Sequence, residues 1–471
     1  MKLQLKKYTH RIEFWILLFF LVRLIGITNP PLEISHNWRQ VTGLMVARNF
    51  LEVDPNILYA QIDDNNGGSG IIGIEFPSMN YCYYLIAKVF GYTHWYGRFI
   101  NLVVSSLGLF FFYRILKLNE FKERLAFYAT IFLACSIWFS FSRKMMPDTY
   151  CISIMFAGLY FGLKYLTENK TIQLVGYMVL CSLAILSKIP AGIYFITLVP
   201  AFFNKKIKIQ SKFVMASASM VPLIFTYLWY FLWNPKISAE FGNWYNAGKP
   251  ILVGLKEILS NMNETLDNFY FDSFYSYFTF LLFLSGLVIL IIKREKRLLI
   301  AFLLPFFMFL IYIFKSGYFF YHHNYYIIPF VPVMALVASY ALIQIEKKWL
   351  FNSLLVLCIA ESIANQQHDF FIKNSEKYKL TLENIMNKIS DKEDLIVVNG
   401  NENPQLIYLS HRKGWNCIDT QISEQKYLND LKDKKCKFIV LNKHSTIDFL
   451  TLKLPYQRIY ENDNFLIFRL S

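Results

Sequence analysis

Cysteine is scarce in this 471-residue chain: its seven residues form no CxxC pair and no zinc spacing. That sets aside dithiol redox chemistry and thiolate zinc modules. Cys135, Cys151, Cys181 and Cys358 fall in apolar runs and read as small core residues, while Cys417 and Cys436 lie in a polar stretch where an oxidising space would let them pair. No small-x-small cleavage site follows the first apolar run, IEFWILLFFLV, and Arg23 interrupts it, so an uncleaved first membrane helix is expected. Charges inside the apolar runs are few and no pattern is duplicated between the halves. A transporter built from repeats would show both.

What the chain has in excess is apolar and aromatic surface, 55% and 18% of residues, with a mean hydropathy of +0.33. Apolar stretches of nearly 20 residues recur, enough to cross a hydrocarbon core of about 30 Å. Helices are predicted at 12–28, 97–116, 125–142, 149–166, 172–187, 190–203, 213–233, 275–292, 298–314, 325–345 and 349–365. These eleven spans define a polytopic α-helical membrane protein, in which the fifth and sixth also suit one re-entrant hairpin. The formal charge of +15 would suggest nucleic acid on a soluble chain. Here the cations sit in short segments between the runs: Lys2, Lys6, Lys7 and Arg11; Lys117, Lys122 and Arg124; Lys205 to Lys212; Lys293 to Arg297; Lys347 and Lys348. That is the pattern of cytoplasmic loops, and nucleic acid is not an expected partner.

With the basic segments inside, the segments 29–96, 142–148, 234–274 and 315–326 lie outside, with the corner at Lys188. In loop 29–96, VTGLMVARNFLE and YCYYLIAKVFG have helical apolar spacing and are expected at the membrane interface, joined by the turn-forming DDNNGGSG. From residue 366 the composition becomes that of a soluble domain. DLIVVNG, QLIYLS, KFIVLN and FLIFRL read as strands, and EKYKLTLENIMNKI and SEQKYLNDLKDK as helices. The expected division is therefore a membrane domain, 1–365, that includes the loop, and an outer α/β domain, 366–471.

Polar groups at membrane depth are costly and usually functional, and the outer segments collect them. The acids are Glu33, Asp63, Asp64, Glu75 and Asp148, the cations Arg39, Arg143 and Lys188, with His36, His322, His323, Tyr325 and Tyr326 beside them. One external active site accounts for them all. Each residue also has a plainer explanation. Arg39 and Arg48 suit interface anchors, Glu75 a turn, Asp63 and Asp64 a solvated turn, Asp148 a helix cap, and the paired histidines lipid headgroups.

The order of motifs resembles a family. WRQ, ARNF, IDDNNG, GIEFP, GRFINLVVSSLG, FSRKMMPD and HHNYYIIPFVP follow one another as in bacterial GT-C membrane glycosyltransferases, similar to protein O-mannosyltransferases and the lipid A aminoarabinose transferase. The likeness covers about residues 10–345. It implies a bacterial inner-membrane, multi-pass enzyme with its active site and C-terminal domain facing the periplasm. Such an enzyme moves a sugar from a polyprenyl-phosphate donor to a hydroxyl of a glycan, lipid or protein. It also implies an acid near Glu33 and His36 as general base, with Glu75 and Asp148 matching further family acids. Relatives often carry an acid just after WRQ, where this chain has Val41-Thr42-Gly43, so the base stays open between Glu33, Asp63 and Glu75. Arg39, Arg143 or Lys188 would hold the leaving phosphate, helped by His322, His323 and Tyr325. No cofactor is required, although a divalent cation fits the chemistry. The alternative is a transporter or lipid flippase without transfer chemistry.

Overall fold

The computed structural model describes residues 10–242, 248–447, 452 and 454–471. The basic residues Lys2, Lys6 and Lys7, and residues 243–247 of the third outer segment, lie outside them. The chain forms two compact units. One comprises 10–27, 98–232 and 248–370, and the other 28–97, 233–242 and 371–471. Loop 29–96 therefore clusters with the C-terminal segment rather than with the membrane helices, a division different from that at 365/366.

The first unit is a multi-pass helical assembly. Among the described residues, Tyr96–Leu118, Pro147–Glu168, Ile209–Phe241 and Lys296–Ser316 are long and apolar enough to span a membrane, and Met262–Asp272 with Tyr277–Lys293 forms a pair bent by 98°. Three shorter apolar helices, Thr171–Ser187, Ile189–Phe203 and Val331–Ile343, join them. Fewer than eleven runs thus become continuous long helices, because several break inside their apolar stretch. The expected 125–142 helix divides into Glu123–Cys135 and Trp138–Phe141. The carbonyl of Cys135 freed at that break accepts from Gln366 Nε2 at 2.9 Å and from the Ser362 hydroxyl, while Ile137 N donates to Ser273 O at 3.1 Å. Buried backbone groups in an apolar medium need such partners. The expected helix at 190–203 starts as the 3-10 stretch Ile189–Leu198, and Pro329 and Pro332 delay the 325–345 helix to Val331. Arg23 is fully buried and donates to Phe19 O (3.0 Å), Ser142 Oγ (2.6 Å) and Ser106 Oγ (3.3 Å).

The second unit contains a five-stranded sheet. Its strands are β1 (Leu395–Val398), β2 (Gly414–Asn416), β3 (Cys436–Asn442), β4 (Gln457–Glu461) and β5 (Phe465–Arg469), in the order β2-β1-β3-β5-β4. β1 pairs in parallel with β2 and β3, and β5 runs antiparallel to β3 and β4. The almost wholly apolar β1 and β3 take the covered centre, and β4, with Gln457, Arg458 and Glu461, takes an edge, where charge discourages further pairing. QLIYLS is a helix, Gln405–Ser410, rather than the expected strand. Its six residues are buried all round and follow Pro404, so they carry no period that separates helix from strand. The first loop extends this sheet: Gly414 N donates to Asp63 O, and Asn65 N to Gly414 O, both at 3.0 Å. Trp415 lies so close to Gly67 that a Cβ there would stand 2.5 Å from its ring. The helix Asn37–Glu52 buries nine residues, Gln40, Val41 and Leu44 to Phe50. Ser78–Phe90 keeps an apolar exposed edge of Leu85, Val89 and Phe90. Cys417 and Cys436 are both buried and free.

Membrane helices pack closely where small residues meet. A Cβ on Gly286 would stand 2.3 Å from the Val337 carbonyl oxygen, and that backbone atom cannot swing aside. Gly286→Val is therefore expected to cost about 1–3 kcal/mol, the usual overpacking range, seen as a lower unfolding temperature of the detergent-purified protein. An unchanged melting curve would refute the close approach.

Candidate active site

In the second unit the site is built on the start of the 37–52 helix. His36 holds a left-handed φ of 58° immediately before it and its carbonyl accepts from Gln40 N at 3.2 Å. The next turn presents two acids to two neighbouring side chains. Arg39 Nη2 donates to both carboxylate oxygens of Glu75 at 2.9 Å, and Gln40 Nε2 donates to Glu33 Oε2 at 3.0 Å. Glu33 is buried, whereas the Arg39 and Glu75 side chains keep 21% and 27% of their surface exposed. A carboxylate that a substrate can reach, held by a planar cation, is suited to taking a proton or ordering a hydroxyl.

Asp63 is placed differently. It is buried, pairs with Arg48 Nη2 at 2.6 Å and accepts from Asn49 Nδ2 at 2.9 Å. The same Arg48 nitrogen donates to Tyr408 O at 3.1 Å, and the guanidinium lies 4.5 Å from the centre of the Tyr408 ring. The Tyr408 hydroxyl meets Tyr92 Oη at 2.6 Å and His94 Nδ1 at 2.7 Å. Arg48 is thus no interface anchor and Asp63 no solvated turn residue: together they tie the first loop to the C-terminal segment. Asp64 accepts from Asn416 N at 3.2 Å, and burial pushes its carboxyl up to about 6.

In the first unit Asn101, from the GRFINL run, organises the turn 142–148. Its Nδ2 donates to the carbonyls of Phe141, Lys144 and Met146 at 3.0, 2.8 and 3.2 Å. Arg143 lies 4.1 Å over the Phe370 ring, and Lys144 pairs with the equally buried Asp369 at 2.9 Å. Asp148 stands in the first turn of the 147–168 helix, but Met146 is the cap and no side chain caps it. The acid instead holds Lys188 Nζ at 2.5 Å, and that ammonium lies 5.0 and 5.5 Å from the centres of the Tyr325 and Tyr326 rings. His323 stacks on Tyr325 at 5.2 Å and His322 on Tyr318 at 3.9 Å. A lysine held between a carboxylate and two aromatic faces is suited to an anionic group with a sugar beside it.

Sequence reasoning missed Asn101, Gln40 and Asp369. The first two lie within quoted motifs, GRFINLVVSSLG and WRQ, and Asp369 is an acid just beyond the last apolar run. Among the described residues, no three His, Cys, Asp or Glu side chains stand together as a group able to hold a metal ion.

Residues 76–237 match the family model described as dolichyl-phosphate-mannose-protein mannosyltransferase. No curated protein matches the sequence significantly. In fold the chain is similar to ArnT from Cupriavidus metallidurans in the apo state, at 12% identity, with 97% of this chain and 98% of that one covered and a TM-score of 0.63. ArnT bound to undecaprenyl phosphate matches at 12% identity over the same shares, with a TM-score of 0.62. The oligosaccharyltransferase of Archaeoglobus fulgidus, in complex with Zn and sulfate, matches at 12% identity and a TM-score of 0.56, covering 91% of this chain and 67% of that one. Residues 76–237 are thus similar to a mannosyltransferase family, and the fold of the chain is similar to that of the ArnT structures.

His411, with a left-handed φ of 52°, gives the second unit a pH dependence. Its Nδ1 meets Glu383 Oε1 at 2.6 Å and its Nε2 meets Glu52 Oε2 at 2.8 Å. Two ionised carboxylates only accept, so both ring nitrogens must carry protons. Burial lowers the His411 pKa, but the bonds to Glu383 and then Glu52 outweigh it, and the net shift is upward. A raised histidine pKa contributes stability that is complete below its unfolded value of about 6.5 and is lost as pH rises through the folded value. The protection factors for hydrogen exchange of strands β1 and β3 in the full-length protein, with the intrinsic pH dependence of exchange divided out, are expected to fall from about pH 6.5 upward. His411→Gln should remove that dependence; persistence of the slope in the variant would rule out this clamp as its source.

Proposed function

We propose that this protein is a membrane glycosyltransferase that moves a sugar from a polyprenyl-phosphate-linked donor to an acceptor hydroxyl at the outer face of the membrane. The observation that carries the reading is the Arg39–Glu75 pair, an accessible carboxylate held through both oxygens at 2.9 Å. Glu75 takes the proton of the attacking hydroxyl and Arg39 orients it. Glu33, buried against Gln40, supports the same turn. Taken by itself, the first unit offers Lys188, kept in place by Asp148, as a cation for an anionic group, with Tyr325, His322 and His323 as faces for a sugar. Asp63, with Arg48 and Asn49 on its oxygens, serves the scaffold, and Arg143 and His36 serve as supports for the 142–148 turn and the 37–52 helix. The undecaprenyl phosphate bound to the similar ArnT supports a donor of that class.

The test is transfer by the purified protein, read as release of polyprenyl phosphate, with the donor chosen as the lipid-linked sugar that accumulates in cells lacking the protein. Glu75→Gln should lower the rate by about 10²-fold. Arg39→Ala should lower it too, since Glu75 would lose the nitrogen that holds both of its oxygens. Wild-type turnover by Glu75→Gln at normal folding would remove Glu75 as the base.

The outward orientation predicts that segments 117–124, 205–212 and 293–297 face the cytoplasm and that the chain from 366 faces outward. In intact cells an impermeant thiol reagent should label a cysteine placed at residue 420 and spare one at 295. The reverse result would overturn this orientation.

A further inference from the structure

Within the first unit, the 96–118, 147–168, 189–198, 296–316 and 331–343 segments enclose an apolar cavity of about 160 Å³. Leu116, Phe156, Tyr194, Leu304 and Val333 are among its walls. The stretch of the 296–316 helix that lines it runs from Arg297 to Pro305, about 12 Å at the helical rise. A cavity lined mainly by apolar side chains along that stretch disfavours water and suits a hydrocarbon chain.

One end of the cavity is polar and charged. Arg297 donates from Nη1 to the carbonyl of Glu120 at 3.1 Å and pairs through Nη2 with Glu120 Oε2 at 2.9 Å, yet its side chain stays 57% exposed. These contacts bring together two segments rich in cations. Segments 117–124 and 293–297 contain seven Lys and Arg against three Glu, a balance of 7 − 3 = +4. Glu120 partly offsets Arg297, but the end as a whole attracts an anion.

We propose that this cavity binds an anionic phospholipid from the leaflet that meets the basic segments. One acyl chain lies in the cavity and the headgroup phosphate lies at Arg297. The site takes a membrane lipid as a fixed companion of the fold and is independent of the donor reading above.

Native mass spectrometry of the full-length protein, exchanged into phosphatidylglycerol or phosphatidylcholine with the same chains, tests it. One phosphatidylglycerol should be retained in preference to phosphatidylcholine. Arg297→Gln should weaken that preference by about tenfold, the loss of one charge-assisted hydrogen bond. Ala301→Trp, or the milder Leu304→Phe where the larger change disturbs folding, should fill the cavity and abolish retention of either lipid. Equal retention of the two lipids by the wild type, or retention unchanged in the variants, would overturn the proposal. Displacement by inorganic phosphate alone would reduce the site to an anion patch, and displacement by polyprenyl phosphate would give the cavity to the donor; either result overturns it.

Discussion

The second unit depends on one buried ion pair. Arg48 and Asp63 bond at 2.6 Å with side chains only 6% and 5% exposed. Removing one partner of such a pair typically costs about 3–5 kcal/mol, because the other charge stays behind without water. Here the remaining bonds are also spoken for. Asn49 takes the second Asp63 oxygen, and Arg48 reaches the Tyr408 carbonyl and lies over its ring. Through these contacts the 37–52 helix is held in register with the 405–410 helix. That register sets where Arg39 and Gln40 point, two turns earlier on the same helix. Glu33 and Glu75, which meet the first turns of that helix, are thus positioned by the Asp63 contacts at its far end.

The first unit solves a related problem without a large number of charges. Its helices break where apolar text alone would have them continue, and each break is answered by a side chain from elsewhere. Gln366 and Ser362 serve the carbonyl of Cys135, and Asn101 serves three carbonyls around the 142–148 turn. In an apolar medium a helix can end only where such donors wait. The turn that leads into Asp148 is held by the Asn101 amide on a neighbouring helix.

Much of this was legible in the chain. The apolar runs located most of the membrane helices, the basic segments separated them, and DLIVVNG, KFIVLN and FLIFRL became β1, β3 and β5. The order of WRQ, GIEFP and FSRKMMPD pointed to the GT-C class, and Arg39, Glu75, Asp148 and Lys188 were each singled out. Their pairing was not legible, since Arg39 meets Glu75 across 36 residues and Lys188 meets Asp148 across 40. Asp63 looked like a turn residue because its partner on the helix and the tyrosine behind that partner are set by tertiary contacts. QLIYLS failed for a local reason, a short run apolar on every side. The segments Ile251–Ser260 and Met262–Asp267 are helices in a region that composition marked only as polar.

The second unit draws most of its residues from 28–97 and from 371–471, with a short piece from 233–242. Residues 98–370, 370 − 97 = 273 of them, are made between these two large portions. During synthesis the first loop therefore emerges with Arg48 and Asp63 in place but with neither β2 to extend nor Tyr408 to lie against. Contacts so distant in sequence form slowly, and the half-built loop exposes apolar surface and charges meant for burial until the last hundred residues arrive. A chain stopped short of its C-terminus would then lose more than a terminal domain: it would also release the turn that holds Glu33 and Glu75. Completion of the polypeptide is, in effect, the event that assembles the acids of the first loop.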